Sequence, residues 1–140
     1  MAFHVASLVE KELSENNSLK RVPNIGILGF TFKEDCPDTR NTKVHDLYQS
    51  LNSKGYNVYV SDPFADKDEV KTEYGIDLVE FNDLRELDVV IVAVAHQAFK
   101  GLEKKEIDAM LNQNPHKFLF DLKSIFHPSK IDDTIKYLSL

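Results

Sequence analysis

The sequence predicts an α/β fold: a three-layer sandwich built on a mostly parallel sheet, preceded by one helix from a neighbouring domain. Three observations carry this reading. Short runs such as NIGILG (24–29) and DVVIVAVA (88–95) are apolar at successive positions, as strands buried on both faces are. Strands alternate with segments of helical periodicity from Asn24 onward, which implies helices on both sides of the sheet and right-handed crossovers. The 140 residues suffice for one ordinary domain and not for a second core.

The elements follow in order. Ala2, Ala6, Val9 and Leu13 recur at spacings of three and four, an apolar stripe that predicts a helix over 2–13. It lies outside the strand–helix alternation, as a piece borrowed from a neighbouring domain would. The polar stretch SENNSLKR (14–21) reads as a linker, and Pro23 enters the first strand, 24–29. Residues 30–42 (FTFKEDCPDTRNT) show no period and much charge; a loop this long inside a compact domain is often functional. A helix starts near Lys43, with Asn41 or Thr42 as N-cap. Val44, Leu47, Tyr48 and Leu51 line one face of it, and Gly55 supplies the stop. A strand over 57–61 (NVYVS) closes on Asp62-Pro63. Beyond an acidic stretch come a short strand at 77–80, a short helix around 83–86 and the strand 88–95. Ile107, Met110 and Leu111 mark another helix, and KFLFDL (117–122) another strand. A closing helix carries Ile131, Ile135 and Leu138, opened by Ser129-x-x-Asp132 in the manner of a capping box.

Composition narrows the function. Seventeen Lys and Arg against 23 Asp and Glu give a net charge of −6, which argues against nucleic acid as a partner but leaves room for a local site for one small anion. The longest apolar run, Val89 to Ala95, is far short of the roughly 20 residues that span a membrane. The N-terminus lacks the pattern of a signal peptide. The single cysteine, Cys36, can form no internal disulfide. The expectation is a cytoplasmic protein without membrane contact. The five histidines are scattered, and no spacing suggests a metal site.

Ligands of open parallel sheets bind at the carboxyl ends of the strands. Gly29-Phe30-Thr31-Phe32-Lys33 places backbone amides and an ammonium there, which suits a phosphate; a solvated lysine in an ordinary loop has the same pattern. Gly26-x-x-Gly29 is not a dinucleotide fingerprint. Lys123 follows the last strand as Lys33 follows the first, so two cations converge on one anion, or both are surface lysines. Arg40 sits beside Asp35 and Asp38, where a local ion pair is the alternative to a ligand contact. Asp62 suits a ribose hydroxyl or a turn. His96 suits acid–base work or a polar loop. Cys36 stands among Glu34, Asp35 and Asp38, anions that would raise a thiol pKa and oppose a nucleophilic role.

The run Gly29 to Val44 (GFTFKEDCPDTRNTKV) resembles the signature of the carboxy-terminal domain of the UDP-glucose/GDP-mannose dehydrogenase family, loosely G-x-x-F-K-x-x-x-x-D-x-R-x-S/T. Further matches follow in the expected order: Tyr59 to Pro63, Val89 to Ala95, and Phe120-Asp121-Leu122-Lys123. Cys36-Pro37 and Ala93-Val94-Ala95-His96 are similar to bacterial members acting on UDP-N-acetylhexosamines. The resemblance implies a Rossmann-like domain over 22–140 that binds the nucleotide sugar (UDP), with 1–21 as the end of a central helical domain plus linker. It implies that Phe32, Lys33 and Lys123 contact the substrate and that Arg40 reaches NAD. Lys123 stands where arginine is common, which keeps the charge and loses the planar fork. Family members oxidise the sugar 6-position alcohol to a carboxylate for polysaccharide precursors, with a cysteine on the central domain and NAD on an amino-terminal domain. Neither domain is visible in this sequence. The expectation is therefore a fragment of a homo-oligomeric NAD-dependent dehydrogenase, inactive alone, whose partners are a UDP-sugar and the enzyme's other domains. The alternative is a free-standing nucleotide-binding or regulatory module.

Overall fold

A computed structural model of the chain describes residues 2–15, 22–31, 33–40, 42–111 and 117–139. Five strands form one sheet: β1 (Asn24–Leu28), β2 (Asn57–Ser61), β3 (Val89–Val92), β4 (Lys117–Asp121) and β5 (Ile135–Ser139). The order is β2-β1-β3-β4-β5 and every neighbouring pair is parallel. The strand order reverses between β1 and β3, so the loops leaving these two strands part and open a crevice. Helices α1 (Ala2–Glu15), α2 (Val44–Ser53), α3 (Lys67–Tyr74), α4 (Gln97–Lys100) and α5 (Lys104–Met110) complete the chain.

Because side chains alternate along a strand, each strand feeds two cores. Ile25, Ile27, Val89, Ile91, Phe118 and Phe120 face a cluster with Leu47 and Leu51 of α2 and Val70 of α3. Leu28, Val90, Val92 and Leu119 face a second cluster with Phe99, Ile107 and Met110. This is the three-layer α/β sandwich that the apolar runs predict.

The first helix is a full member of one layer. Val5, Ala6, Val9 and Leu13 are buried in the cluster that holds Phe118 and Phe120. Lys54, at the end of α2, pairs with Glu10 at 3.0 Å, and Lys136 of β5 with Glu12 at 2.8 Å. The helix therefore lies across the sheet between α2 and β5. Each buried Val or Leu of this kind stabilises by about 1.5–3 kcal/mol, so the apolar stripe, more than the ion pairs, holds α1 in place. Of residues 14–21, expected as linker, Ser14 and Glu15 instead continue α1, and 16–21 lie outside the described residues.

Four expectations are corrected. The closing helix is strand β5, parallel to β4 from Lys117↔Ile135 to Asp121↔Ser139. Asp132 ends any helical course, because its carboxylate accepts from the Thr134 N–H and hydroxyl at 3.0 and 2.9 Å. The open edge of β4 then takes up the following segment, and Ile135 and Tyr137 point into the second cluster. No capping box forms at Ser129: a short 3-10 turn, Pro128–Lys130, is capped by His127, which accepts from the Ser129 N–H at 3.1 Å. Residues 77–80 run beside the sheet without joining it, tied by Val79 N–H donating to Val60 O at 2.9 Å. The helix around 83–86 is a 3-10 turn at Phe81–Asp83, stopped before Glu86, whose φ is 57°. Helix α3, within the acidic stretch, is additional. Its one buried residue is Val70, but Asp66 caps it by accepting from Glu69 N–H at 3.0 Å, and Gly75 ends it in the left-handed region.

Gly29 sets the width of the crevice. Its φ is +102°, and a Cβ there would stand 2.6 Å from Val94 Cβ and 2.9 Å from Val94 N. Gly29→Ala is therefore expected to lower the unfolding free energy by about 2–4 kcal/mol, combining left-handed strain with overpacking. Urea unfolding measures this, and a loss below about 0.5 kcal/mol would show that the crevice gives way freely.

Candidate functional site

The crevice at the switch in strand order holds a cavity of about 240 Å³. Its polar wall is Lys33 from the loop after β1, Lys43 at the entry to α2, Lys123 from the turn after β4, and Glu34. Its apolar floor includes Val5, Val44, Leu47, Val94 and Leu122. Lys33 and Lys123, expected to share a site, thus face one cavity although β1 and β4 are not neighbours. The turn carrying Lys123 is anchored by Leu122 N–H donating to Val92 O at 3.1 Å and by Ser124 in the left-handed region at φ 53°. Among the described residues, none of the three ammonium groups forms a hydrogen bond or ion pair. Three cations against one carboxylate over an apolar floor suit an anion that carries an apolar or planar part.

A second cavity of about 330 Å³ opens beside α4, α5 and the 79–81 segment. It is larger, but its lysine, Lys67, is paired with Glu80, and Asp62 and Glu106 add further carboxylates. Charge, not volume, makes the lysine-lined cavity the candidate site for an anion.

Of the remaining expected residues, Arg40 does not reach this cavity. Its side chain is 80% exposed, and its guanidinium grips Asp38 with Nε at 3.0 Å and Nη2 at 3.1 Å. These hydrogen bonds from the Arg40 side chain, then from its backbone N–H, hold the Asp38 carboxyl below the usual range. Phe32, like the N-cap candidate Asn41, lies outside the described residues. Thr42 does serve the start of α2, its hydroxyl accepting from Val44 N–H at 3.2 Å and donating to Phe30 O at 2.6 Å. Cys36 is a half-buried free thiol. Among the described residues there is no cluster of three His, Cys, Asp or Glu that could hold a metal ion, and no helix is long and apolar enough to cross a membrane.

The sequence reading missed Lys43 and the device that fixes the loop carrying Lys33. That device is Asp62, at the end of β2, with His96 beyond β3; both side chains are fully shielded from solvent. Asp62 Oδ2 accepts from Phe30 N–H at 2.6 Å and Thr31 N–H at 3.1 Å, and Oδ1 from Phe64 N–H at 2.8 Å and Ala65 N–H at 3.0 Å. His96 Nδ1 accepts from Asp35 N–H at 2.8 Å, so the ring proton sits on Nε2 and points at Asp62 Oδ2, 2.9 Å away. The Thr31 hydroxyl lies 3.1 Å from the same Nε2 and donates to Lys33 O at 3.0 Å. Asp35 is held in the left-handed region at φ 56°, and its carboxylate accepts from Gln97 N–H at 2.9 Å. The loops after β1, β2 and β3 are thereby tied at one point. Asp62 is committed to this work and does not present its carboxylate to a ribose, and Val94 fills the open side of Gly29. These residues do not fit a dinucleotide seated on this domain in the Rossmann manner.

Burial opposes ionisation of Asp62, but hydrogen bonds from Phe30 N–H, His96, Phe64 N–H and Thr31 N–H outweigh it and hold the carboxyl below the ordinary range. The folded pKa lies below the unfolded one, so this stabilisation is full above the unfolded value of about 3.9 and is lost as pH falls through the folded value. Asp62→Asn is expected to cost about 2–4 kcal/mol at pH 7, because an amide cannot accept at both ends. It should also flatten the decline in stability below about pH 4. Urea midpoints at pH 7, 4 and 3 test this, and an unchanged acid limb would remove Asp62 from it.

Residues 26–128 match the UDP-glucose/GDP-mannose dehydrogenase family, UDP binding domain. Protein CapL of Staphylococcus aureus is 37% identical over 132 residues, which are 94% of this chain and 30% of that protein. UDP-N-acetyl-D-glucosamine 6-dehydrogenase of Salmonella typhi is 35% identical over 128 residues, 91% of this chain and 28% of that enzyme. Among solved structures, NDP-N-acetyl-D-galactosaminuronic acid dehydrogenase from Methanosarcina mazei Go1 shares the fold at a TM-score of 0.82 and 20% identity, over 99% of this chain and 28% of that one. The chain spans less than a third of the length of these relatives. The match runs from within β1 to beyond β4 and takes in every lysine of the crevice, and the chain belongs to the UDP-glucose/GDP-mannose dehydrogenase family as its UDP binding domain.

Proposed function

We propose that this chain is the nucleotide-sugar-binding part of an NAD-dependent UDP-sugar 6-dehydrogenase whose substrate is a UDP-N-acetylhexosamine. The observation that carries the reading is the crevice with Lys33 and Lys123 on one cavity, within a stretch that matches a UDP binding domain. Names of relatives such as UDP-N-acetyl-D-glucosamine 6-dehydrogenase and UDP-N-acetyl-D-mannosamine dehydrogenase support the hexosamine. Lys33 and Lys123 offset the charge of the diphosphate, and the apolar floor receives the uridine or sugar face. Phe32, next to Lys33 in the signature, belongs to the same substrate contact.

Oxidation of the sugar 6-alcohol to a carboxylate removes four electrons and takes up one water, and two NAD in succession, held by another part of the enzyme, would each accept one hydride. Closure of this domain over the substrate excludes water from the reacting carbon. Arg40, on the exposed loop away from the cavity, extends toward that cofactor once it exchanges its hold on Asp38. Cys36 is not the nucleophile, and α1 is the end of a central helical domain that carries it. The intact enzyme is a homo-oligomer working in the cytoplasm on polysaccharide precursors.

The chain alone should bind UDP weakly, near millimolar or roughly −4 kcal/mol, and more weakly as salt rises, because the crevice is open to solvent. Amide shifts on UDP titration should cluster at Lys33, Glu34 and Lys123, and Lys33→Ala and Lys123→Ala should each weaken them severalfold. No NADH should form with any UDP-sugar. Shifts that map instead to the cavity beside α4 and α5, or sustained NADH formation by the purified chain, would overturn the reading.

A further inference from the structure

Lys43 stands at a position that local helix energetics do not explain. It is the N-cap of α2, a ten-residue helix, yet its side chain makes no capping hydrogen bond. The first turn of a helix carries the positive end of the macrodipole, where a cation is unfavourable and an anion favourable. The exposed Asp46 is the acidic residue of that turn, and it does not line the cavity. Lys43 does, together with Lys33 and Lys123. The three lysines line it from three separate segments: the loop after β1, the entry to α2 and the turn after β4. Lysine is costly for α2 at this position and useful to an anion in the crevice.

Two cations suffice for one phosphate. A third, from a different wall, gains a partner only when the ligand carries a second phosphate. We infer that Lys43 is a diphosphate contact and sets the preference of this crevice for a nucleoside diphosphate over the monophosphate. The inference rests on the crevice being the UDP site.

The test measures UDP and UMP binding to the 140-residue chain by amide shifts at low salt, for the wild type, Lys43→Gln, Lys43→Arg and Lys105→Gln. Lys105 is exposed on α5, over the opposite face of the sheet, and controls for net charge. Lys43→Gln should weaken UDP about tenfold and UMP less than threefold, so the ratio of the two affinities collapses. Lys43→Arg should restore most of the ratio, and Lys105→Gln should leave both affinities within about twofold. Equal losses for UDP and UMP, or an effect no larger than that of Lys105→Gln, would overturn the role of Lys43 while leaving the crevice as the UDP site. A folded wild-type chain that binds neither nucleotide would overturn both.

Discussion

The crevice depends on one carboxylate. Three parallel strands end side by side, and the loops that leave them carry amides with no strand partner. Each such buried N–H left unpaired costs about 1–3 kcal/mol. Asp62 takes four of them, two from the loop after β1 and two from its own loop, and adds the ring of His96. His96 passes the restraint on, since its other nitrogen holds Asp35 N–H. Lys33 lies between Thr31 and Asp35, so its backbone is clamped from both sides while its ammonium stays free to meet a ligand. A fixed backbone under an exposed charged head is what a binding loop requires.

Lys123 is held by different means, a tight turn that continues β4, and the floor between the two lysines comes partly from α1 and α2. Val5 links the site to the N-terminal helix. The same helix covers the sheet around Phe118 and Phe120, so stability and site shape have a common source there. The flanking ion pairs, Glu10–Lys54 and Glu12–Lys136, are half-exposed at their lysine or glutamate ends, and such pairs contribute little. They orient the helix more than they hold it.

Much of this was legible in the sequence, for identifiable reasons. β1, β3 and β4 announce themselves because both faces of each are buried, which leaves no choice but continuous apolar runs, while β2, at the other edge, shows through its branched and aromatic residues and the Asp62-Pro63 turn that closes it. β5 is an edge strand with mixed exposure, and its Ile135 and Leu138, with Ile131 before it, fall by coincidence at helical spacing. Helix α3 has Val70 as its one buried residue, so no stripe could reveal it; only the Asp66 and Gly75 caps could. At the site, Lys33 and Lys123 were legible from their places after strands. Asp62 was legible only as a turn former or a ribose ligand, because its real partners come from Phe30, Thr31 and His96, up to 34 positions away. Lys43 reads as an ordinary helix start until the fold turns it toward the other two lysines.

The charge of the chain sharpens what the crevice has to do. At a net −6, the molecule as a whole repels an anion, so long-range steering does not help a diphosphate approach. Screening confines that repulsion to about 8–10 Å at ordinary ionic strength. Inside that distance the local arrangement decides, and there three lysines face one glutamate. On the proposed reading, capture of a nucleoside diphosphate depends on short-range contact with all three walls at once. An open crevice offers these contacts in high-dielectric water, where each charge pair is worth about 1 kcal/mol at 4 Å. Covering the crevice would raise the worth of the same three contacts several-fold without adding a residue. The strength of this site is thus set less by its own lysines than by what closes over them.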